Sequence, residues 1–99
     1  MQVMDIPSVM DRPTDGTGLS DACQVVLFND NHNTCEHVMM CLMVIFRHSA
    51  VLAKKIMLEA HEKGKAIAQV ESFGDAVKHV GQLKAAGLEA EVQGISTGI

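Results

Sequence analysis

The chain has 99 residues, 47% of them apolar, and a formal net charge of −4 at pH 7. This length suits one domain with a single hydrophobic core. Only eight Lys and Arg residues are present, with no Trp or Tyr, so we expect no nucleic-acid binding. No apolar run approaches the ~20 residues of a membrane-spanning helix, and the N-terminus lacks a signal-peptide pattern. We therefore expect a cytoplasmic protein that does not bind membranes.

Composition divides the chain into three segments. Residues 1–21 contain both prolines and show no sustained periodicity, so we expect a flexible N-terminal extension, and residues 95–99 are predicted to be a loose C-terminal tail. Residues 22–94 are predicted to fold. The first strand, Gln24 to Phe28, is an almost continuous apolar run, which is typical of a central strand. Six polar residues with turn chemistry, 29–34, follow it.

Three predicted helices begin at Ser or Thr residues in N-cap positions. Thr34 begins the first helix, which Arg47 and His48 close with positive charge. Ser49 begins the second helix, and Gly64 ends it. Helical spacing predicts the following apolar faces: Val38, Cys41, Leu42 and Ile45 in the first helix; Leu52, Ile56, Met57, Ala60 and His61 in the second; Phe73, Ala76, Val77, Val80 and Leu83 in the third, between Ser72 and Gly87.

Two short alternating strands, at 65–70 and 88–93, complete the set of elements. The order is therefore β-α-α-β-α-β. It predicts an α/β (α+β) two-layer sandwich, with a three-stranded sheet covered by helices on one face.

Four residues near the polar loop are possible zinc ligands: His32, Cys35, His37 and Cys41. The apolar stripe directs Cys41 into the core, and no CxxC or HxxxH pattern is present, so zinc is a minor alternative. Cys35 near His32 or His37 is a conceivable thiolate–imidazole pair, but an orienting third group is not evident. We expect reduced cysteines, no metal, no cofactor and no enzymatic activity.

His61 has two possible interpretations. It follows Met57 by four positions and therefore shares its helix face. One interpretation is a partly buried core histidine. The other is that His61, near the helix end, joins the polar groups of the loop around a small apolar pocket.

Two separate stretches resemble the ClpS adaptor family. Residues 25–38, VVLFNDNHNTCEHV, resemble the strand and loop of the family, and residues 55–66, KIMLEAHEKGKA, are similar to its second-helix signature. The similarity runs from about Cys23 to Val92. It implies a fold that is also seen in the C-terminal domain of the ribosomal stalk protein, which agrees with the sandwich predicted from periodicity.

The resemblance implies an adaptor rather than an enzyme. ClpS adaptors bind N-terminal degradation signals, a free α-amino group on a bulky hydrophobic residue, and deliver the substrate to a Clp AAA+ unfoldase for proteolysis. We expect a monomer whose partner is a ClpA- or ClpC-type unfoldase, engaged by the N-terminal extension. Carried over by position, the residues for the α-amino group are Asn29, Asp30, Asn31 and His61, and those for the side-chain pocket are Asn33, Cys35, Val38, Met57 and Ala60.

The chain departs from the family pattern at three of these positions. Asn31 stands where the family commonly has a second acid, so we expect weaker binding of an amine. Cys35 replaces a larger residue, often Met, and Ala60 replaces Val, so we expect a wider pocket. The competing hypothesis is a stalk-like protein-interaction domain without a pocket, and a pocket faced by Asn29 and His61 separates the two.

Overall fold

The structure, a computed structural model, describes residues 22–94, so the expectations for residues 1–21 and 95–99 lie outside the described residues. Its elements are β1 (Ala22–Phe28), α1 (Cys35–Phe46), α2 (Ala50–Lys63), β2 (Lys65–Ser72), α3 (Phe73–Ala85) and β3 (Glu89–Gly94). The predicted element order and α+β sandwich are confirmed. Within residues 22–94, no helix is long and apolar enough to cross a membrane.

The apolar first strand lies in the middle of the sheet, as predicted. The strand order is β2-β1-β3, and β1 runs antiparallel to both neighbours, so β2 and β3 are parallel to each other. One bulge interrupts the pairing, because Val25 pairs with Gln69 whereas Val26 pairs with Ile67. A strand that is covered on both edges and packed against helices excludes water, which explains its apolar composition.

The hydrophobic core lies between the sheet and the three helices. Leu27 of β1, Leu42 of α1 and Leu83 of α3 are among the largest fully buried side chains. Cys23 and Val25 join them in one cluster, so alternate residues of β1 face the helices. Burial of a Leu side chain stabilises a fold by about 1.5–3 kcal/mol, so this cluster holds the sheet and helices together.

Local hydrogen bonds fix the helix starts at the predicted N-caps. The Oγ1 of Thr34 accepts a hydrogen bond from the His37 N–H at 3.1 Å, and the Oγ of Ser49 accepts one from the Leu52 N–H at 3.1 Å. Ser72 does the same for α3, with the Asp75 N–H at 3.3 Å. All three predicted caps are confirmed.

Two predictions about the helices are wrong. Arg47 and His48 lie beyond α1, because the chain reverses at Arg47, whose φ is 63°; no basic residue occupies the last turn of this helix. Phe73 and Val77 are 60% and 47% exposed, although we predicted them on the apolar face of α3, and Leu52, predicted on the apolar face of α2, is 39% exposed. The buried stripe of α3 is narrower than predicted, since it is limited to residues of the core cluster such as Val80.

Candidate functional site: an apolar pocket with a polar rim

The loop between β1 and α1, residues 29–34, is tied to two other parts of the fold. The backbone N–H of Asn29 donates to the carbonyl oxygen of Gly64 at 3.0 Å, at the end of α2. The Nδ2 of Asn33 donates to the carbonyl oxygen of Gly87 at 2.9 Å, in the turn between α3 and β3. These two hydrogen bonds hold the loop against both the end of α2 and the α3–β3 turn.

The carboxylate of Asp30 organises the loop from inside. Its Oδ1 accepts hydrogen bonds from the backbone N–H groups of His32 at 2.8 Å and Asn33 at 3.0 Å. The Nδ2 of Asn33 lies 3.0 Å from both Oδ1 and Oδ2. A carboxylate has about four acceptor positions, two on each oxygen. Oδ1 is therefore fully used by the loop, whereas Oδ2 keeps capacity for another donor.

These contacts keep Asp30 ionised. Partial burial is the largest single influence and raises the pKa of Asp30. Hydrogen bonds from the His32 N–H and from the side chain and N–H of Asn33, together with the charge of His32, outweigh burial and lower the pKa below its usual value. The loop therefore carries a negative charge at neutral pH.

Beside this loop lies a pocket of about 220 Å³. All nine residues that we predicted for the site line it: Asn29, Asp30, Asn31, Asn33, Cys35, Val38, Met57, Ala60 and His61. Leu27, Phe28 and Leu88 line it as well, and the sequence reasoning missed them. Leu27 and Phe28 end the apolar strand just before the polar loop, and this position could have predicted that they line the pocket. No feature of the sequence predicted the same for Leu88. The roles of the nine residues in binding stay a prediction.

The pocket has two parts, which we call the floor and the rim. The floor consists of apolar side chains from β1, α1, α2 and the segment before β3: Leu27, Val38, Met57, Ala60 and Leu88. Of these, Leu27, Met57, Ala60 and Leu88 are buried and Val38 is half-buried. The rim consists of polar side chains that reach solvent: Asn29, Asp30, Asn31 and His61. Cys35, the first residue of α1, is exposed at the pocket mouth.

His61 lies in the last turn of α2 and is exposed, while it still lines the pocket. The interpretation as a partly buried core histidine is therefore wrong. Helical spacing places His61 on the same face as Met57, and because it lies in the last turn of the helix it lines the pocket together with the polar loop.

The alternative zinc set does not assemble. The Nε2 of His37 is 2.8 Å from the carbonyl oxygen of Ala86, and since a carbonyl only accepts, this nitrogen carries the proton. Cys41 Sγ lies 3.6 Å from the same nitrogen in the protein interior, where burial raises the pKa of the Cys41 thiol. Within residues 22–94, no group of three or more His, Cys, Asp or Glu side chains is arranged to hold a metal ion.

A small α+β domain with an apolar pocket and a hydrogen-bonding rim belongs to the class of binding modules. The family model of the ATP-dependent Clp protease adaptor protein ClpS matches residues 19–94. The chain belongs to the ClpS family, and such a protein is an adaptor of the protease rather than an enzyme.

Individual relatives agree with this assignment. The chain is 33% identical to the ATP-dependent Clp protease adapter protein ClpS of Leptothrix cholodnii, over 90% of this chain and 88% of the relative. It is 35% identical to that of Syntrophus aciditrophicus over 61% of this chain, a match that spans 56% of the relative. Among solved structures, ClpS2 of Agrobacterium tumefaciens bound to L-phenylalaninamide matches with a TM-score of 0.68 and 26% identity, over 77% of this chain and 99% of that one.

Proposed function

We propose that the pocket binds the free N-terminus of a polypeptide whose first residue is bulky and hydrophobic. The observation that carries this proposal is an apolar floor beside a rim of hydrogen-bond acceptors that includes an ionised carboxylate. An N-terminal residue has the matching form, since a hydrophobic side chain and a protonated amine extend from the same carbon atom. The related ClpS2 structure holds L-phenylalaninamide, a ligand with this form.

The rim suits an ammonium group. A protonated α-amine has three N–H donors and one positive charge, so it requires acceptors and favours a carboxylate. Oδ2 of Asp30 retains acceptor capacity and supplies the charge. The side-chain oxygen of Asn29 and a ring nitrogen of His61 complete the set. Asn31 adds an acceptor without a second charge, so the attraction for the amine depends on Asp30.

The floor suits a single side chain. The whole pocket, about 220 Å³, exceeds the roughly 150 Å³ of an apolar cavity that accommodates benzene, so one aromatic ring fits. Burial of a Leu or Phe side chain contributes about 1.5–3 kcal/mol. With Cys35 at the mouth and Ala60 in the floor, the pocket accommodates wide side chains. Together with the amine contacts this corresponds to affinity on the order of micromolar.

Delivery is the second half of the proposed function. An adaptor presents its bound substrate to a Clp-family AAA+ unfoldase, and residues 1–21, outside the described part of the chain, are the segment we assign to this contact. The stalk-like alternative needs no pocket, so the presence of one beside Asn29 and His61 favours the adaptor.

The experiment is a titration with a fluorescent peptide that begins with Phe, against the same peptide acetylated at its N-terminus. Acetylation removes the charge and donors of the amine and leaves rim acceptors unpaired. A cost of about 1–3 kcal/mol predicts binding weaker by about five- to 150-fold. His61→Ala should weaken binding of the free peptide by at least about threefold.

Glu62→Ala is the matched control, because this neighbouring residue is exposed and does not line the pocket. It should bind both peptides like the wild type. Equal affinity of the wild type for the free and acetylated peptides would contradict the proposed function.

A further inference from the structure

We propose that Asn33 is a positioning residue, which orients the Asp30 carboxylate toward the bound α-amine and ties that orientation to the turn between α3 and β3. This inference rests on the proposed function, but it assigns Asn33 a role other than lining the side-chain pocket. Its basis is one side-chain amide that bridges two separate parts of the fold.

The bridge consists of a single –NH₂ group. Nδ2 of Asn33 is 3.0 Å from each oxygen of Asp30 and 2.9 Å from the carbonyl oxygen of Gly87. An amide nitrogen has two hydrogens, one for the carboxylate and one for the carbonyl. Asn33 is half-buried, so water competes only partly for these bonds. Hydrogen bonds to a charged acceptor are also among the stronger ones.

The bridge determines where Oδ2 points. Rotation about χ2 of an Asp side chain has a broad energy minimum, so its own rotamer preference does not fix the carboxylate plane. Two backbone N–H groups hold Oδ1, and Nδ2 of Asn33 contacts the edge shared by both oxygens. Without Nδ2, the carboxylate keeps its Oδ1 contacts but can turn about them. The oxygen left for the amine would then lose its fixed direction.

The turn between α3 and β3 is suited to anchor this arrangement. It receives a second hydrogen bond, from Nε2 of His37 to the carbonyl oxygen of Ala86, at 2.8 Å. The next residue, Gly87, has a φ of +91°, a backbone conformation that residues other than Gly rarely adopt. A turn held at two adjacent carbonyl groups gives Asn33 a fixed partner.

The test compares Asn33→Ala with the wild type in binding of the free and acetylated Phe peptides. Loss of the orienting bond should weaken binding of the free peptide about three- to tenfold, with little change for the acetylated one. Thr34→Ala is the matched control. It removes the N-cap of α1 from the same loop and lowers thermal stability, but it leaves the contacts of Asp30 intact. It should retain the full preference for the free amine.

The second readout is the pH at which binding of the free peptide is lost on acidification. Because the side chain of Asn33 helps to lower the pKa of Asp30, Asn33→Ala should shift loss of binding toward higher pH, and Thr34→Ala should not. The other titratable groups near Asp30 are His32, whose charge acts on it, and Cys35 of α1 and His61 of α2, which line the same pocket; the α3–β3 turn contributes a backbone carbonyl to the bridge. NMR titration of the Asp30 carboxyl without peptide separates its protonation from theirs.

A double-mutant cycle with Asp30→Asn completes the test. If Asn33 acts through Asp30, the two substitutions together should cost no more amine affinity than Asp30→Asn alone. Additive losses, or an Asn33→Ala variant with unchanged amine preference and an unchanged Asp30 titration, would overturn the positioning role and leave the proposed function standing. A wild type without amine preference would instead overturn the proposed function, and the positioning role with it.

Discussion

The floor and the rim of the pocket are built by different means. Floor residues such as Leu27 and Ala60 also belong to the hydrophobic core, so the forces that fold the protein shape this surface. Rim residues reach solvent, and short-range hydrogen bonds around Asp30 fix the loop that carries three of the four. A change in the floor therefore affects stability and binding together. A change in the rim should affect binding with a small cost in stability.

The largest effect is expected from Leu27→Ala in the floor. Leu27 is 2% exposed and packs in the core from the central strand. Removal of a buried Leu side chain leaves a cavity and costs about 2–5 kcal/mol of unfolding free energy. Urea denaturation measures this cost.

Leu58→Ala on α2 is the matched control for Leu27→Ala. The same atoms are removed at a position that is 40% exposed, where the loss should be well below that of Leu27. Equal losses at the two positions would mean that the floor is not part of the core.

Much of the floor could be predicted from the sequence. Helical spacing identified Met57 and Ala60, and the apolar run before the loop identified β1, because burial imposes a regular period on helices and strands. Leu88 was not predicted to line the pocket, since its place there depends on how the α3–β3 turn packs. Phe73 showed the opposite error: its spacing fits the apolar stripe of α3, but its side chain is exposed and lies outside the core cluster.

The rim was predicted mainly from the family resemblance, because its residues follow no period. Turn chemistry identified the loop as a whole. It did not show that Asp30 accepts hydrogen bonds within the loop, or that Asn33 reaches Gly87, 54 residues further along the chain. Contacts of this kind depend on the tertiary fold, which brings the ends of β1, α2 and α3 to one place.

An intermediate effect is expected from Asp30→Asn, a substitution in the rim that should also lower stability. A carboxylate whose pKa is lowered in the folded state stabilises the protein above its ordinary pKa, and the contribution is lost as pH falls through the lowered value. At pH 7 the substitution should cost about 1 kcal/mol, since the charge-assisted hydrogen bonds of a partly exposed group are lost. The difference from wild type should begin to shrink as the pH falls below about 3.8, the ordinary pKa of Asp, and should vanish only below the lowered pKa of Asp30.

Urea denaturation at pH 7 and in acid measures this difference. Asp75→Asn is a useful control, because Asp75 is exposed at the start of α3, far along the chain from the pocket loop. A stability difference between Asp30→Asn and wild type that is independent of pH would contradict the role of the ionised carboxylate.

The smallest effect is expected from Asn31→Asp, which restores a second acid to the rim. Asn31 is exposed, so stability should change by less than about 0.5 kcal/mol. Binding of the free Phe peptide should become about two- to fivefold tighter at low salt, because a second carboxylate attracts the ammonium group; repulsion from Asp30 limits the gain.

Gln82→Glu, on an exposed position of α3 outside the pocket, makes the same change in net charge and should give no such gain. Salt should diminish the gain, since mobile ions screen exposed charges. Equal gains for both variants would assign the effect to net charge and would contradict a local role of position 31 in the rim.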